Sequence, residues 1–255
     1  MRKQCTKYKL FFIIFSCSLS VGAADFYAEM QQRIELQQQA PDRHKWDFRR
    51  DAARKPFETF RFLGLKPGMM VMDVGAAAGY TTEMLAAAVG PEGKVYSQNR
   101  AQVLYKFADG YYKRTMDERL ANNRLPNVVL HVKEYADLGL DGELDLAFWG
   151  NNFHDYHYNE EGEAAALEVL LSIKKTLKPG GILGITDHVG SADHDNRELH
   201  RIEPDIIRDT LQQAGFIIEA ESDLFANPAD DHSLAVYDEE IYLKTDRVLI
   251  RARKP

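Results

Sequence analysis

Residues 71–80 read VMDVGAAAGY, and the architecture of this 255-residue chain follows from that stretch. Its apolar run ends at Asp73 and Val74, as a short buried strand does. The next five residues are small, and small residues let a ligand approach the backbone closely. A helix that begins behind them would offer unpaired N–H groups to that ligand. An ordinary strand-to-helix turn also uses glycine, but the acid two residues before Gly75 favours a ligand-binding loop.

Apolar strands alternate with helical stretches on both sides of this loop. We expect strands at residues 69–74, 94–97, 128–132, 144–149, 182–186, 216–220 and 248–251. We expect helices at residues 81–89, 101–125, 166–177 and 204–214. Strands separated by helices indicate an α/β fold with a mostly parallel sheet covered on both faces. The last two strands are joined by a long polar loop, residues 224–246, without a helix.

The N-terminal third is predicted to begin with a signal peptide at residues 1–23. Its start is basic without any acid, and the apolar run from Leu10 to Val21 is too short for a membrane span, which needs about 20 residues. A lipoprotein processed at Cys17 is a weaker alternative. We expect export to the bacterial periplasm, with a helical extension at residues 24–60 and one domain at residues 61–255. Within the extension, a helix from Trp46 to Leu63 carries apolar residues toward the core.

Composition excludes several classes of protein. With 45% hydrophobic and 11% aromatic residues, the chain is not collagen-like, coiled-coil or wholly disordered. The net charge is −7, and without residues 1–23 there remain 28 basic against 39 acidic residues, a formal charge of −11. A nucleic-acid partner held by phosphate contacts is therefore disfavoured. Removing residues 1–23 also removes both cysteines, so neither a disulfide nor a thiolate ligand is expected.

The loop resembles a known family. An acidic residue followed by glycine-rich sequence is similar to the first motif of class I S-adenosylmethionine (SAM)-dependent methyltransferases, Gly-x-Gly-x-Gly. LDLAF at residues 144–148 resembles the fourth strand of that family, and LKPGGIL at 177–183 resembles its turn into the fifth. RKPFE at 54–58 is similar to a group of exported predicted methyltransferases. The resemblance covers residues 56–255 and implies a Rossmann-like sheet of seven strands, the last antiparallel.

The resemblance also implies SAM as cofactor and assigns a cofactor-binding set by position. That set is Asp73, Gly75, Ala77, Gly79, Gln98, Asn99, Glu134 and Tyr135. The set departs from the family pattern at two places. Ala77 replaces the middle glycine, and Gln98 and Asn99 stand where the family usually has a carboxylate for the ribose hydroxyls. A neutral acceptor forms the weaker hydrogen bond, so we expect weaker SAM binding than in the family at large.

The segment after the fourth strand contains the candidate catalytic residues His154 and Asp155. It lacks the Asp/Asn-Pro-Pro-Tyr pattern of enzymes that methylate amide or ring nitrogens, and its His-Asp pair resembles small-molecule O-methyltransferases. His154 is the expected general base, because histidine titrates near neutral pH. Asp155 would orient it, or would cap the following helix instead. Asn152 and His188 are the expected substrate contacts.

Other functions use the same residues. A packed loop histidine is the structural alternative for His154. Six residues could ligate a divalent metal, although no zinc signature spaces them, so no metal site is predicted. They are His154, His157, Asp187, His188, His194 and His200. The expected function is methyl transfer to a small-molecule acceptor, with a non-catalytic binder of a nucleoside-like ligand and a metal-dependent hydrolase as alternatives. The oligomeric state stays open.

Overall fold

A seven-stranded sheet forms the centre of the molecule. The computed structural model describes residues 23–160 and 162–255. The strands are β1 Met70–Val74, β2 Lys94–Asn99, β3 Val128–Val132, β4 Leu144–Gly150, β5 Leu177–His188, β6 Ile217–Ser222 and β7 Arg247–Arg253. Their order is β3-β2-β1-β4-β5-β7-β6, and β7 runs antiparallel to both neighbours. This arrangement confirms the predicted Rossmann-like fold.

Helices cover both faces of this sheet. They are α1 Ala23–Gln38, α2 Phe48–Arg54, α3 Pro56–Leu63, α4 Tyr80–Val89, α5 Ala101–Lys106, α6 Tyr111–Leu120, α7 Phe153–His157, α8 Glu163–Thr176 and α9 Pro204–Gln213. Alternate side chains of β1 point to opposite faces. Met72 and Val74 pack in a core with α8 and α9, whereas Val71 packs with α1, α3 and α4.

Two predicted helices are each divided in the structure. The helix expected from Trp46 to Leu63 breaks at Lys55, whose φ is 39°, because Pro56 disfavours helical backbone in the residue before it. The helix expected over 101–125 breaks at residues 107–110, where Gly110 has a φ of 74°. Both breaks lie beside the cleft described below, since Arg54 and Phe107 contribute to its wall.

The turn at residues 178–181 shifts the pairing of β5 with β4. Leu144 pairs with Leu177, and Leu146 pairs with Ile182, so five steps along β5 match two along β4. The Gly180 amide donates to the Lys254 carbonyl at 3.0 Å. The predicted strand at 182–186 is therefore part of a longer one, and the pairing of β4 with β5 brings residues 150 and 186 side by side.

A buried ionic cluster joins the N-terminal segment to the sheet domain. Arg119 of α6 contacts Glu83 of α4, and its Nη2 lies 2.9 Å from the Asp47 carboxylate. All three side chains are almost fully buried. Met30 of α1 and Phe60 of α3 also lie in the same core as the sheet. The division between an extension at 24–60 and a domain at 61–255 stays a prediction.

The predicted signal peptide lies outside the described residues, except for Ala23, the first residue of α1. In the part of the chain that the structure describes, no helix has the length and apolar character needed to cross a membrane.

Candidate active site

A cleft of about 650 Å³ opens at the carboxyl ends of the parallel strands. Its walls come from the glycine loop, from residues 150–159 after β4, and from two segments outside the parallel part of the sheet, residues 44–54 and 236–247. Ligands of open α/β sheets bind at this edge, and the volume is typical of small-molecule sites. The cleft can accommodate a cofactor together with an acceptor.

Backbone amides of the glycine loop are held by the end of β2. The Gly75 amide donates to Gln98 Oε1 at 2.8 Å, and the Ala77 amide donates to Asn99 Oδ1 at 2.9 Å. The Ala76 amide donates to the Gln98 carbonyl at 2.8 Å. These three donors are therefore unavailable to a phosphate group, which distinguishes this loop from phosphate-binding glycine loops. Gln98 and Asn99 act on the loop backbone, and of the two only Asn99 lines the cleft.

The loop adopts a left-handed conformation at three predicted cofactor-binding positions, Gly75, Ala77 and Gly79. At Gly75, with a φ of 64°, a Cβ atom would lie 3.0 Å from Asn152 Oδ1 and 3.1 Å from the Tyr135 hydroxyl. Only glycine allows that approach without displacement. Ala77 has a φ of 50°, a conformation that costs about 1 kcal/mol for a residue with a Cβ. The substitution of the family's middle glycine therefore strains the loop without changing its course.

Asp73 is buried at the end of β1 and lines the cleft. Its carboxylate accepts a hydrogen bond from the Thr82 hydroxyl at 2.6 Å. Burial raises the pKa of Asp73 to about 6, although Thr82 and the Arg54 charge both favour the carboxylate. A cationic group placed beside Asp73 would restore full ionisation.

Predicted adenine-side residues differ in their placement. Tyr135 lines the cleft, and its ring meets Tyr156 edge-on at 4.9 Å between centroids. Glu134 instead pairs with Arg100 at 2.7 Å and accepts from the Ala101 amide, and it is not among the lining residues. The hydrogen bond from Arg100 lowers the pKa of Glu134. Tyr135 is thus placed to contact a ligand directly, whereas Glu134 fixes the position of Arg100.

His154 forms a dyad with Asp187 at the floor of the cleft. Its Nδ1 lies 2.8 Å from Asp187 Oδ1, and its backbone amide donates to Asp187 Oδ2 at 2.9 Å. Asp187 is 0% exposed and His154 is almost fully buried. The carboxylate therefore holds the proton on Nδ1 and leaves Nε2 as the ring atom that can exchange a proton or bind a ligand. Sequence reasoning gave the orienting role to Asp155.

Asp155 occupies the other side of the same ring. Its Oδ1 lies 3.3 Å from His154 Nε2 and 3.4 Å from His200 Nδ1, while Asn152 Nδ2 donates to Oδ2 at 2.8 Å. Neither His154 Nε2 nor His200 Nδ1 forms a hydrogen bond with any of the described residues. One atom each from His154, Asp155 and His200 lie within 4.8 Å of one another. These three residues could hold a divalent metal, although no metal site is predicted from the sequence.

Charges around His154 determine its protonation. Burial alone would lower the pKa of His154, but the Asp187 and Asp155 carboxylates outweigh it and raise the pKa to about 10. At His188, by contrast, burial outweighs the Asp187 carboxylate and lowers the pKa to about 3. His188 Nδ1 lies 2.7 Å from the Thr245 hydroxyl. At neutral pH His154 is therefore a charged imidazolium and His188 a neutral imidazole.

Only some of the histidines considered as metal ligands lie at the cleft. His154, His188 and His200 line the cleft, whereas His157 does not and His194 is exposed on a loop. Among the wall residues that sequence reasoning missed are Arg54, Arg247 and Asn151. The charged residues at 49–54, more than a covering helix needs, were a weak sequence signal that Arg54 faces a ligand. The other two had none, because their placement depends on strands that are distant along the chain.

Sequence comparison matches part of this chain to known methyltransferases. The sequence model of the protein-L-isoaspartate (D-aspartate) O-methyltransferase family matches residues 56–135. A protein-L-isoaspartate O-methyltransferase of Methanothermobacter thermautotrophicus is 41% identical over 46 residues. That alignment covers 18% of this chain and 21% of the relative, so it spans about one fifth of the relative's length.

Solved structures resemble a larger part of the chain. A SAM-dependent methyltransferase from Aquifex aeolicus superposes with a TM-score of 0.59 at 20% identity, covering 89% of this chain and 98% of its own. The [4+2]-cyclase SpnF superposes with a TM-score of 0.60 at 19% identity, covering 85% and 86% of the two chains. The fold thus serves more than one reaction. The chain thus has the fold of a SAM-dependent methyltransferase, and its residues 56–135 match the family model.

Proposed function

We propose that this protein transfers a methyl group from SAM to an oxygen atom of a small-molecule acceptor, with His154 as general base. The observation that carries the proposal is the His154–Asp187 dyad, whose histidine lines the same cleft as the glycine loop. A carboxylate that fixes one ring nitrogen and leaves the other facing a ligand site is the usual arrangement of a catalytic histidine.

The residues present fit SAM. Asp73 offers a buried carboxylate, and Asn151 Oδ1 is a buried acceptor without a hydrogen-bond partner in the described structure. Both line the cleft, and both can accept from the methionine ammonium group. Tyr135 and Asn99 lie further along the same wall, toward the expected ribose and adenine. The three occupied loop amides suit a cofactor that lacks phosphate.

SAM, when bound, supplies the methyl group as an electrophile on its sulfonium. His154 Nε2 would take the proton of an acceptor hydroxyl, and Asp187 would stabilise the imidazolium that results. Tyr112 and Tyr237 also line the cleft, where they can exclude water and hold the acceptor in position. We place this activity outside the cytoplasm, on the strength of the basic and apolar pattern of residues 1–23.

Calorimetric titration of the protein with SAM and with S-adenosylhomocysteine tests the cofactor assignment. We expect binding in the micromolar range, about −8 kcal/mol, somewhat weaker than a site with a ribose carboxylate would give. 5′-Methylthioadenosine, which lacks the amino-acid part, should bind more weakly because it cannot contact Asp73 or Asn151. No binding at millimolar ligand would overturn the proposal. Binding without turnover on any acceptor would favour the non-catalytic alternative.

The activity should depend on pH through His154. Its folded pKa of about 10 lies above the ordinary value of about 6.5, so the proton-accepting form is scarce at pH 7. We therefore expect kcat/KM to rise from pH 7 toward pH 10, and Asp187→Asn to move the inflection to lower pH. NMR titration of the histidine Cε1 resonances measures the same pKa without an acceptor. A His154 titration at or below 6.5 would contradict this prediction.

The same shift links His154 to stability. Because the folded pKa is raised, the charged ring stabilises the folded state fully below about pH 6.5, and that contribution is lost as pH rises toward 10.

A second candidate, a metal-dependent hydrolase, is favoured by one observation. His154, Asp155 and His200 offer three ligand atoms in an open cleft, and Asp187 and Asn152 orient two of them through hydrogen bonds. Three protein ligands with an open position are typical of catalytic zinc. Metal analysis of the purified protein distinguishes the candidates. One metal ion per chain, lost in His154→Ala, would favour the hydrolase over the methyltransferase.

A further inference from the structure

Two arginines line the cleft without an acidic partner. Arg247 begins β7 and is only 8% exposed, and Arg54 ends α2. No carboxylate of the described residues lies within ion-pair distance of either guanidinium. The Arg54 guanidinium lies over the ring of Tyr80, 5.6 Å from its centroid. Arg247 stacks on Phe225 at 4.1 Å and contacts the Ala53 carbonyl. Arg247 is buried and Arg54 is half-buried. Charge removed from water without a counterion is costly, and proteins retain it where a ligand supplies the opposite charge.

Both arginines also line a small side pocket that opens from the cleft. Its volume of about 20 Å³ has room for a group the size of one water molecule. Thr186 Oγ1, in this lining, is a buried polar atom without a partner among the described residues. A hydroxyl donor and two guanidinium groups together match an anionic oxygen.

The lowered pKa values of Arg54 and Arg247 are consistent with a site that an anion would complete. Burial, followed by the nearby Arg54 charge, lowers the pKa of Arg247 to about 9. Burial and the charge of Arg50 lower the pKa of Arg54. The carboxylates of Asp187 and Asp246 act in the opposite direction on Arg247, and that of Asp73 on Arg54, but they do not outweigh burial and the neighbouring arginines.

We propose that Arg54 and Arg247 form a carboxylate subsite, and that the acceptor of the methyltransferase is a small molecule carrying a carboxylate. The inference rests on the proposed function, because it places the acceptor at the same cleft. Arg247 lies on the side of His188 and Thr245, and an acceptor held there would extend toward His154. The tyrosines of the cleft wall suit a planar body between the carboxylate and the reacting oxygen.

The methionine carboxylate of SAM is a second source of the same charge, and binding measurements separate the two. With S-adenosylhomocysteine bound, we expect benzoate to bind and benzamide, its neutral counterpart, not to bind. Arg54→Gln and Arg247→Gln should each weaken benzoate binding about tenfold or more and change S-adenosylhomocysteine affinity less than about twofold. Arg208→Gln, on the exposed side of α9, is the matched control and should change neither.

Two results would overturn the proposal. One is equal binding, or no binding, of benzoate and benzamide. The other is a tenfold loss of S-adenosylhomocysteine affinity in the arginine variants while 5′-methylthioadenosine affinity is kept, which would assign the subsite to the cofactor. If wild-type protein binds no S-adenosylhomocysteine but still distinguishes benzoate from benzamide, the methyltransferase proposal fails and the carboxylate subsite stands.

Thermal unfolding gives a readout that needs no ligand. If Arg54 is held for an absent anion, Arg54→Met removes uncompensated charge and should raise Tm of the ligand-free protein by about 2–4 °C. Benzoate should raise Tm of the wild type and leave that of Arg54→Met unchanged. A fall in Tm on Arg54→Met would mean that the arginine is structural, and would overturn the proposal.

Discussion

Replacing His154 by alanine is expected to lower kcat/KM for methyl transfer by about 10²- to 10⁴-fold, the usual contribution of a general base. The affinity for SAM should change little, because in the proposed function His154 contacts the acceptor and not SAM. Transfer of labelled methyl groups to a panel of hydroxyl- and carboxyl-bearing acceptors measures the first quantity, and calorimetry measures the second.

Two further variants sharpen this expectation. Asp187→Asn should lower activity because Asp187 orients Nδ1 and stabilises the imidazolium. His194→Ala removes an exposed histidine outside the cleft and should have no effect. An alanine variant at position 154 with wild-type kcat/KM would show that His154 only packs against the sheet edge. Loss of a stoichiometric metal ion would assign it to the hydrolase.

Arg119→Ala is expected to destabilise the protein by about 3–5 kcal/mol, the usual effect of removing one partner from a buried ionic cluster. The change leaves Glu83 and Asp47 buried without the cation between them. Arg119 Nε also donates to the Ala78 carbonyl at 3.0 Å, so the glycine loop loses a contact. Chemical unfolding followed by circular dichroism measures the free-energy difference.

Arg114→Ala on the exposed face of the same helix is the matched control. It should change the unfolding free energy by no more than about 0.5 kcal/mol. A loss below 1 kcal/mol in Arg119→Ala would mean that the remaining cations around Glu83, among them Arg124, compensate the charge.

Much of the fold was predictable because its signals are local. The strand ending at Asp73, the small residues that follow and the turn at 178–181 each lie within about ten residues of sequence. Breaks within helices were harder to place. The break at Lys55 depends on Pro56, which sequence reasoning placed inside a helix, and Gly110 was expected only to weaken its helix.

The candidate site was predictable in location but not in its contacts. His154 and Tyr135 were expected at the cleft because they follow parallel strands, whose carboxyl ends meet at one edge. Gln98 was expected to contact the ribose, and its side chain instead holds the Gly75 amide and the Lys133 carbonyl. A residue at the end of a strand can turn toward the loop or toward the ligand, and periodicity does not distinguish the two.

The partner of His154 shows where local pattern stops being informative. Adjacency in sequence pointed to Asp155, yet the carboxylate that bonds Nδ1 is 33 residues away on β5. The pairing of β4 with β5 brings the two together, and the register shift at 178–181 sets which β5 residue stands opposite the end of β4. Local sequence thus establishes the architecture and the ligand edge through strand periodicity and glycine. Long-range packing selects Asp187, Arg54 and Arg247 because contacts between distant strands depend on register.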